Sequence, residues 1–126
     1  MATILIVEDD TVIANLFKSA FTREGYEVEL ALDGLEALEK IKTIKPTMIL
    51  SDIMMPRMDG IELIKHLKAK KNTKNIPIVV MSNLAKEESV NEALKAGAVK
   101  HIVKQDFGPH EVVNIVKEII SKSSDR

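Results

Sequence analysis

Thr47-Met48-Ile49-Leu50-Ser51-Asp52-Ile53-Met54-Met55-Pro56-Arg57-Met58-Asp59-Gly60 is the stretch on which the reading of the chain turns. The run from Thr47 to Leu50 has the composition of a buried strand, and Asp52 arrives as that run stops. Pro56 and Asp59-Gly60 then turn the chain, and a helical pattern follows. A carboxylate at the end of an apolar strand is costly unless something there uses its charge. Open α/β sheets bind their ligands at that place, beyond the carboxyl ends of the strands. Asp52 is therefore the first candidate functional residue.

Upstream, Thr3-Ile4-Leu5-Ile6-Val7 is a short continuous apolar run, as expected for a strand covered on both faces, and it ends abruptly in Glu8-Asp9-Asp10. Val12, Ile13, Leu16, Phe17, Ala20 and Phe21 recur at helical spacing up to Gly25, a helix stop. Tyr26 to Leu30 alternates apolar with charged residues, which suits an edge strand. Asp33 and Glu36 have the spacing of a capping box for a helix carrying Ala37, Leu38 and Ile41, and Asp59 and Glu62 repeat it for one carrying Ile61, Leu63, Ile64 and Leu67. Downstream, Ile78 to Met81 reads as a buried strand, and Val90, Ala93 and Leu94 mark a helix closed by Gly97. Val99 to Val103 reads as a more polar edge strand, and Pro109 opens a last helix with a stripe of Val112, Val113, Val116, Ile119 and Ile120. Five strands alternating with five helices imply a doubly wound parallel sheet, because right-handed crossovers leave few other topologies. With the second and fifth strands at the edges, the expected α/β fold is flavodoxin-like, a (βα)5 sheet in the order 2-1-3-4-5.

The 126 residues suffice for one domain, expected over residues 1–122 with a polar tail over 123–126. The chain has 45% hydrophobic and 29% charged residues, an ordinary soluble balance. Its 18 basic and 19 acidic residues leave a formal net charge of −1, so no direct nucleic-acid contact is expected. The absence of cysteine excludes disulfides, thiolate metal sites and thiol nucleophiles. No apolar run approaches the length of a membrane span, and Met1-Ala2-Thr3 leads straight into the first strand, leaving no room for a signal peptide. A cytoplasmic location is the expectation.

Glu8-Asp9, Asp52, Ser82-Asn83 and Lys104 all stand at strand ends on the same rim of the sheet. Three carboxylates together repel unless a cation sits among them. Oxygen donors without His or Cys favour Mg2+, with Mn2+ as a substitute. A lysine and a hydroxyl beside such a cation are the parts needed to hold a phosphoryl group, and Asp52 is then the nucleophile that forms an aspartyl phosphate.

At this point the chain resembles the receiver domain of two-component response regulators, single-domain chemotaxis regulators included, over nearly its whole length. The resemblance is carried by Ile4-Leu5-Ile6-Val7-Glu8-Asp9-Asp10, Ser51 to Gly60, Met81-Ser82-Asn83, Ala96-Gly97-Ala98 and Lys104. It implies a phosphorelay switch, not a metabolic enzyme, in which Asp52 accepts phosphate from a histidine kinase or histidine phosphotransfer protein. Asp9 and Asp52 would ligate Mg2+, Met54 would add its backbone carbonyl, and Glu8 would act through water. Ser82 would follow the phosphoryl group and Lys104 would pair with it. His101 falls where the family usually has a Tyr or Phe that turns inward on activation. The resemblance also places the readout on the fourth helix, fifth strand and fifth helix, roughly residues 86–122, where a downstream protein partner would bind.

The match departs from the family pattern in four places. Gln105 follows Lys104 where the family has a proline in a cis bond; a non-proline cis bond costs about 2.5–4 kcal/mol, so a trans bond and an altered loop are expected. Asn83 replaces a small residue, Ser82 the commoner Thr, and His101 an aromatic. Met54 and Leu84 flank the site with apolar side chains that cannot orient a water, so slow self-dephosphorylation is expected.

Other readings compete. An Asp-nucleophile phosphatase would carry a second acid two positions on, where this chain has Met54; a flavin carrier would need a phosphate-cradling loop where it has Glu8-Asp9-Asp10. A receiver-like docking module that is never phosphorylated remains the alternative. Asp10 reads as a solvated acid at a helix start, His66 and His110 as exposed helix residues, and Met54, Met55 and Met58 as loop packing. Lys65, Lys68, Lys70, Lys71 and Lys74 read as a solvated basic face.

Overall fold

Apolar strands and amphipathic helices of this chain can bury their faces only against each other, and they do so in three layers. The computed structural model describes residues 2–83 and 87–124. Its elements are β1 (Thr3–Val7), α1 (Thr11–Arg23), β2 (Glu27–Ala31), α2 (Gly34–Ile41), β3 (Met48–Asp52), α3 (Gly60–Lys68), β4 (Ile78–Ser82), α4 (Glu87–Ala96), β5 (Lys100–Val103) and α5 (Pro109–Ser124). The strands form one parallel five-stranded sheet in the order β2-β1-β3-β4-β5, as expected for the flavodoxin-like fold.

Strand residues alternate between two cores with the period of two that the pleat dictates. Leu5, Val7, Ile49, Ile78 and Val80 pack with Ala37 of α2, Leu63, Ile64 and Leu67 of α3 and Ala93 of α4. Ile4, Ile6, Met48, Leu50, Val79, Met81 and Ile102 pack with Phe17 and Phe21 of α1 and Val112, Val113 and Val116 of α5. The three inner strands are buried nearly throughout, whereas β2 alternates exposed and covered residues, as its charged pattern required. Gly25 (φ 93°) and Gly97 (φ 130°) turn the chain after α1 and α4 in the left-handed region.

Four local readings change. On α1, Val12 and Leu16 are 69% and 55% exposed, and the small Ala14 takes the core position beside Phe17 and Phe21. Leu94 likewise stays 43% exposed on α4. Glu36 does not close the capping box on Asp33; it reaches one residue further back and accepts from the Leu32 amide at 3.1 Å. The polar tail expected over 123–126 begins inside α5, which runs to Ser124. The Asp59–Glu62 box, in contrast, is complete. Leu84, expected to flank the site, and Lys86, at the start of the expected readout surface, lie outside the described residues, as do residues 125–126.

Asp33 also does something its spacing did not reveal. Its Oδ1 caps α2 through the Glu36 amide at 2.9 Å, while Oδ2 accepts from Arg57 Nε at 2.6 Å across the rim of the sheet. Arg57 sits at φ 64°, an unusual backbone for a side chain of that size. Burial alone would raise the Asp33 pKa, but the Glu36 amide and the Arg57 guanidinium together hold it below the usual carboxylate range. We expect Asp33→Ala to cost about 2 kcal/mol, the sum of a lost cap and a lost partner for the strained loop. Urea denaturation at pH 7 measures it. Because the folded-state pKa is depressed, the contribution is present above the ordinary Asp range and fades as pH falls through the depressed value.

Candidate functional site

In-register strands bring the chemistry together. Val7 of β1 lies beside Ser51, Asp52 beside Met81, and Ser82 beside Val103, so Glu8, Asp52, Ser82 and Lys104 leave the sheet at one level. The chain keeps its pairing slightly past the strands: the Glu8 amide donates to Ala31 O at 2.9 Å and the Ile53 amide to Met81 O at 3.0 Å. These bonds aim the next side chains into a cleft of 680 Å3 above β1, β3 and β4.

One carboxylate oxygen from each of Glu8, Asp9 and Asp52 lies within 4.8 Å of the other two. Glu8 is 1% exposed and Asp52 8%, while Asp9 faces solvent. Such a set is unstable as three bare anions, and among the described residues Lys104 supplies the cation: its Nζ donates to Glu8 Oε1 and, at 3.0 Å, to Asp52 Oδ2. Burial would lower the lysine pKa, but the two carboxylates raise it, so the ammonium keeps its charge. Glu8 goes the other way: burial, reinforced by Asp52, pushes its carboxyl up to about 7 against the pull of Lys104.

The peptide bonds of the described residues are all trans, and the chain after β5 takes a single 3-10 turn, Lys104–Asp106. That loop still delivers Lys104 to the acids. Ser82 Oγ and His101 Nε2 lie 2.8 Å apart, so His101 is half-buried and engaged, not a free edge-strand residue. Asn83 lines the cleft with its side chain exposed. Met58 packs in the core as expected, but Met54 projects into solvent at the mouth of the cleft, 73% exposed.

Asp10 acts as the cap of α1, accepting from the Val12 and Ile13 amides at 3.0 and 3.2 Å, and the acid cluster does not include it. Ile13, Ser89 and Val90 also line the cleft, and reading the sequence alone did not place them there. Val90 carries a helix-stripe signal that points only to packing; no local pattern marks Ser89.

The donor set fits a hard divalent cation. It is all oxygen, it has no His or Cys, and among the described residues its three acids share one lysine. Asp9 is the acid that no described ion pair engages, and it stands at the open side.

Comparison with known proteins agrees with this arrangement. Residues 4–117 match the model of the response regulator receiver domain. The chain is 40% identical over 117 residues to the chemotaxis protein CheY of Thermotoga maritima, covering 92% of this chain and 95% of that one. It is 33% identical to sporulation initiation phosphotransferase F of Bacillus subtilis, covering 97% and 96%. It is 39% identical to the transcriptional regulatory protein PhoP for alkaline phosphatase synthesis of the same organism, covering 95% of this chain but about half, 49%, of that relative. Among solved structures, the CheY-like receiver domain protein of Methanospirillum hungatei JF-1 superposes with a TM-score of 0.90 at 34% identity, covering 99% and 98%. With an acid cluster, a lysine and a serine at four strand ends of a 2-1-3-4-5 sheet, the chain belongs to the response regulator receiver domain family of two-component systems.

Proposed function

We propose that the protein is a phosphorylation-driven switch whose acceptor is Asp52. The observation that carries this reading is the placement of the Asp52 carboxylate 3.0 Å from Lys104 Nζ, within a cluster of three acids at the end of a fully buried strand. The donor is a phosphohistidine of a histidine kinase or a histidine phosphotransfer protein. An Asp52 oxygen forms the bond to phosphorus as the phosphorus–nitrogen bond of the donor breaks, and the donor imidazole leaves with that electron pair. Lys104 neutralises the incoming phosphoryl oxygens, and the Ser82 hydroxyl donates a hydrogen bond to one of them. Asp9, Asp52 and the Met54 backbone carbonyl would hold Mg2+, and Glu8 would act on it through water. When bound, the ion offsets the mutual repulsion of phosphoryl group and carboxylates.

The exposed Met54 side chain offers no group that could orient an attacking water, which supports a long-lived adduct. Phosphorylation shifts an equilibrium between two states of the domain, proposed to span residues 1–122, and a protein partner reads it on the α4-β5-α5 face. Leu94 and Val99, 43% and 52% exposed, give that face apolar surface to bury. No described helix is long and apolar enough to cross a membrane.

Intact mass after incubation with acetyl phosphate tests the reading. One added phosphate that requires Mg2+ and disappears in Asp52→Asn is the expected result. No adduct from acetyl phosphate or from a phosphohistidine protein would leave a receiver-shaped docking module.

A further inference from the structure

A hydroxyl has one proton to give, and the one on Ser82 has two claimants. Ser82 ends β4 with 7% of its surface exposed, lining the acid cleft. On the neighbouring strand, His101 pairs with Val80, and its ring presents Nε2 to Ser82 Oγ at 2.8 Å. A neutral imidazole protonated on Nδ1 offers Nε2 as an acceptor, whereas an imidazolium is a donor at both nitrogens. In the first form the serine proton is bound by the ring. In the second, the ring donates to Oγ, and the serine proton is free to turn into the cleft.

We propose that His101 is a positioning residue that, while neutral, withholds the Ser82 hydroxyl proton from an anion on Asp52 and, once protonated, releases it. The consequence for phosphoryl transfer rests on the proposed role of Asp52; the state of the ring does not. Among the described side chains, the elements around β5 carry Glu88, Glu92 and Lys95 on α4, Lys100, Lys104 and Asp106 on β5 and its following turn, and His110, Glu111, Lys117, Glu118 and Lys122 on α5, while β4 carries none. Among the described residues, Ser82 is the hydrogen-bond partner of the imidazole and no ion pair reaches it. Burial lowers the His101 pKa, so the ring is neutral at pH 7 and takes up its proton only below the ordinary histidine range.

Linkage makes the coupling reciprocal: whatever draws the Ser82 proton away from the ring raises the affinity of the ring for a proton. The test follows the ring nitrogens by NMR across pH, in the free protein and with beryllofluoride and Mg2+ as the phosphoryl mimic. The expected result is a ring protonated on Nδ1 in the free protein at pH 8. Ser82→Ala should lower the His101 midpoint, because the bond from the imidazolium to Oγ is stronger than the hydroxyl bond to the neutral ring, and the mimic should raise the midpoint more in the wild type than in Ser82→Ala, where only charge acts. A proton on Nε2 at pH 8, or a rise with the mimic as large in Ser82→Ala as in the wild type, overturns the proposal.

The second readout is the rate of modification by acetyl phosphate. His101→Phe should exceed the wild type by about two- to tenfold at pH 8, the worth of one hydrogen bond, and the ratio should close toward one below the His101 midpoint. A ratio that does not change with pH also overturns the gate. If Asp52 were not an acceptor, neither protein would gain mass, while the tautomer in the free protein would still report on the gate by itself.

Discussion

Glu8→Gln is expected to stabilise the metal-free protein at pH 8 by about 1–3 kcal/mol, an unusual sign for replacing a buried, ion-paired side chain. The physical origin is crowding. Glu8 is 1% exposed, shares Lys104 with Asp52, and lies within the cluster that also contains Asp9. Burial and the Asp52 charge push its carboxyl from the ordinary 4.5 up to about 7. Above about 7 Glu8 is ionised both folded and unfolded, and the folded state carries the full cost of its charge. Below 4.5 it is protonated in both, and the cost disappears. Between these values the folded state binds more protons, so this group makes wild-type stability fall as pH rises through the window. Each pH unit of that displacement corresponds to about 1.4 kcal/mol. The value of about 7 is already net of the pull of Lys104, so the loss of that partner is included in the range given.

Urea denaturation in the presence of a chelator, at pH 8 and pH 4.5, measures the effect. The gain should be present at the first pH and nearly absent at the second. Equal stability of the two proteins at pH 8 would mean that Lys104 fully compensates the acids. Saturating Mg2+ should stabilise the wild type more than the variant, because the variant has lost one charge of the set that favours the cation.

The sheet and the acid cluster were legible in the sequence for different reasons. Continuous apolar runs such as Ile4 to Val7 and Met48 to Leu50, too short for a helix and bounded by polar residues, fit strands covered on both faces, and the alternating charges of β2 fit an edge. Once strand order is settled, the acids that end those runs must share a rim, which is why Glu8, Asp9 and Asp52 could be grouped before any coordinate. Contacts that depend on side-chain reach were not legible. The Lys104–Glu8 pair spans 96 residues and the Ser82–His101 bond 19. Neither leaves a periodic trace, and Lys104 could as well have paired with a bound anion alone. On α1, period 3.6 admits a wide apolar stripe, so Val12 and Leu16 matched the pattern while the smaller Ala14 gave too weak a signal. Arg57 broke the rule outright: left-handed backbone is flagged by Gly or Asn, and here an ion pair to Asp33 holds an arginine there.

Gly60→Ala is expected to destabilise the domain by about 2–4 kcal/mol, lowering Tm by roughly 8–16 °C. Gly60 is the first residue of α3, and its backbone is not in the left-handed region; what it lacks is room. A Cβ there would lie 2.4 Å from the carbonyl oxygen of Asp52, 3.0 Å from Ile53 Cα and 3.2 Å from Asp52 C. All three are backbone atoms, so no rotamer change relieves the contact. The Gly60 amide donates to Ile53 O at 2.8 Å, tying the start of α3 to the end of β3. Moving α3 outward would strain that bond and uncover Ile61, Leu63 and Ile64, whereas moving β3 would displace Asp52 from Lys104. Either response is unfavourable, and the second strikes the site itself. Gly108→Ala is the matched control: its Cβ would meet nothing nearer than Glu111 Oε1 at 3.7 Å, so its stability should stay within about 1 kcal/mol of wild type. Thermal unfolding of the two variants side by side decides the matter. A Gly60→Ala protein as stable as Gly108→Ala would show that α3 can slide freely over the end of β3, and the rigid seating of Asp52 argued from that contact would be wrong.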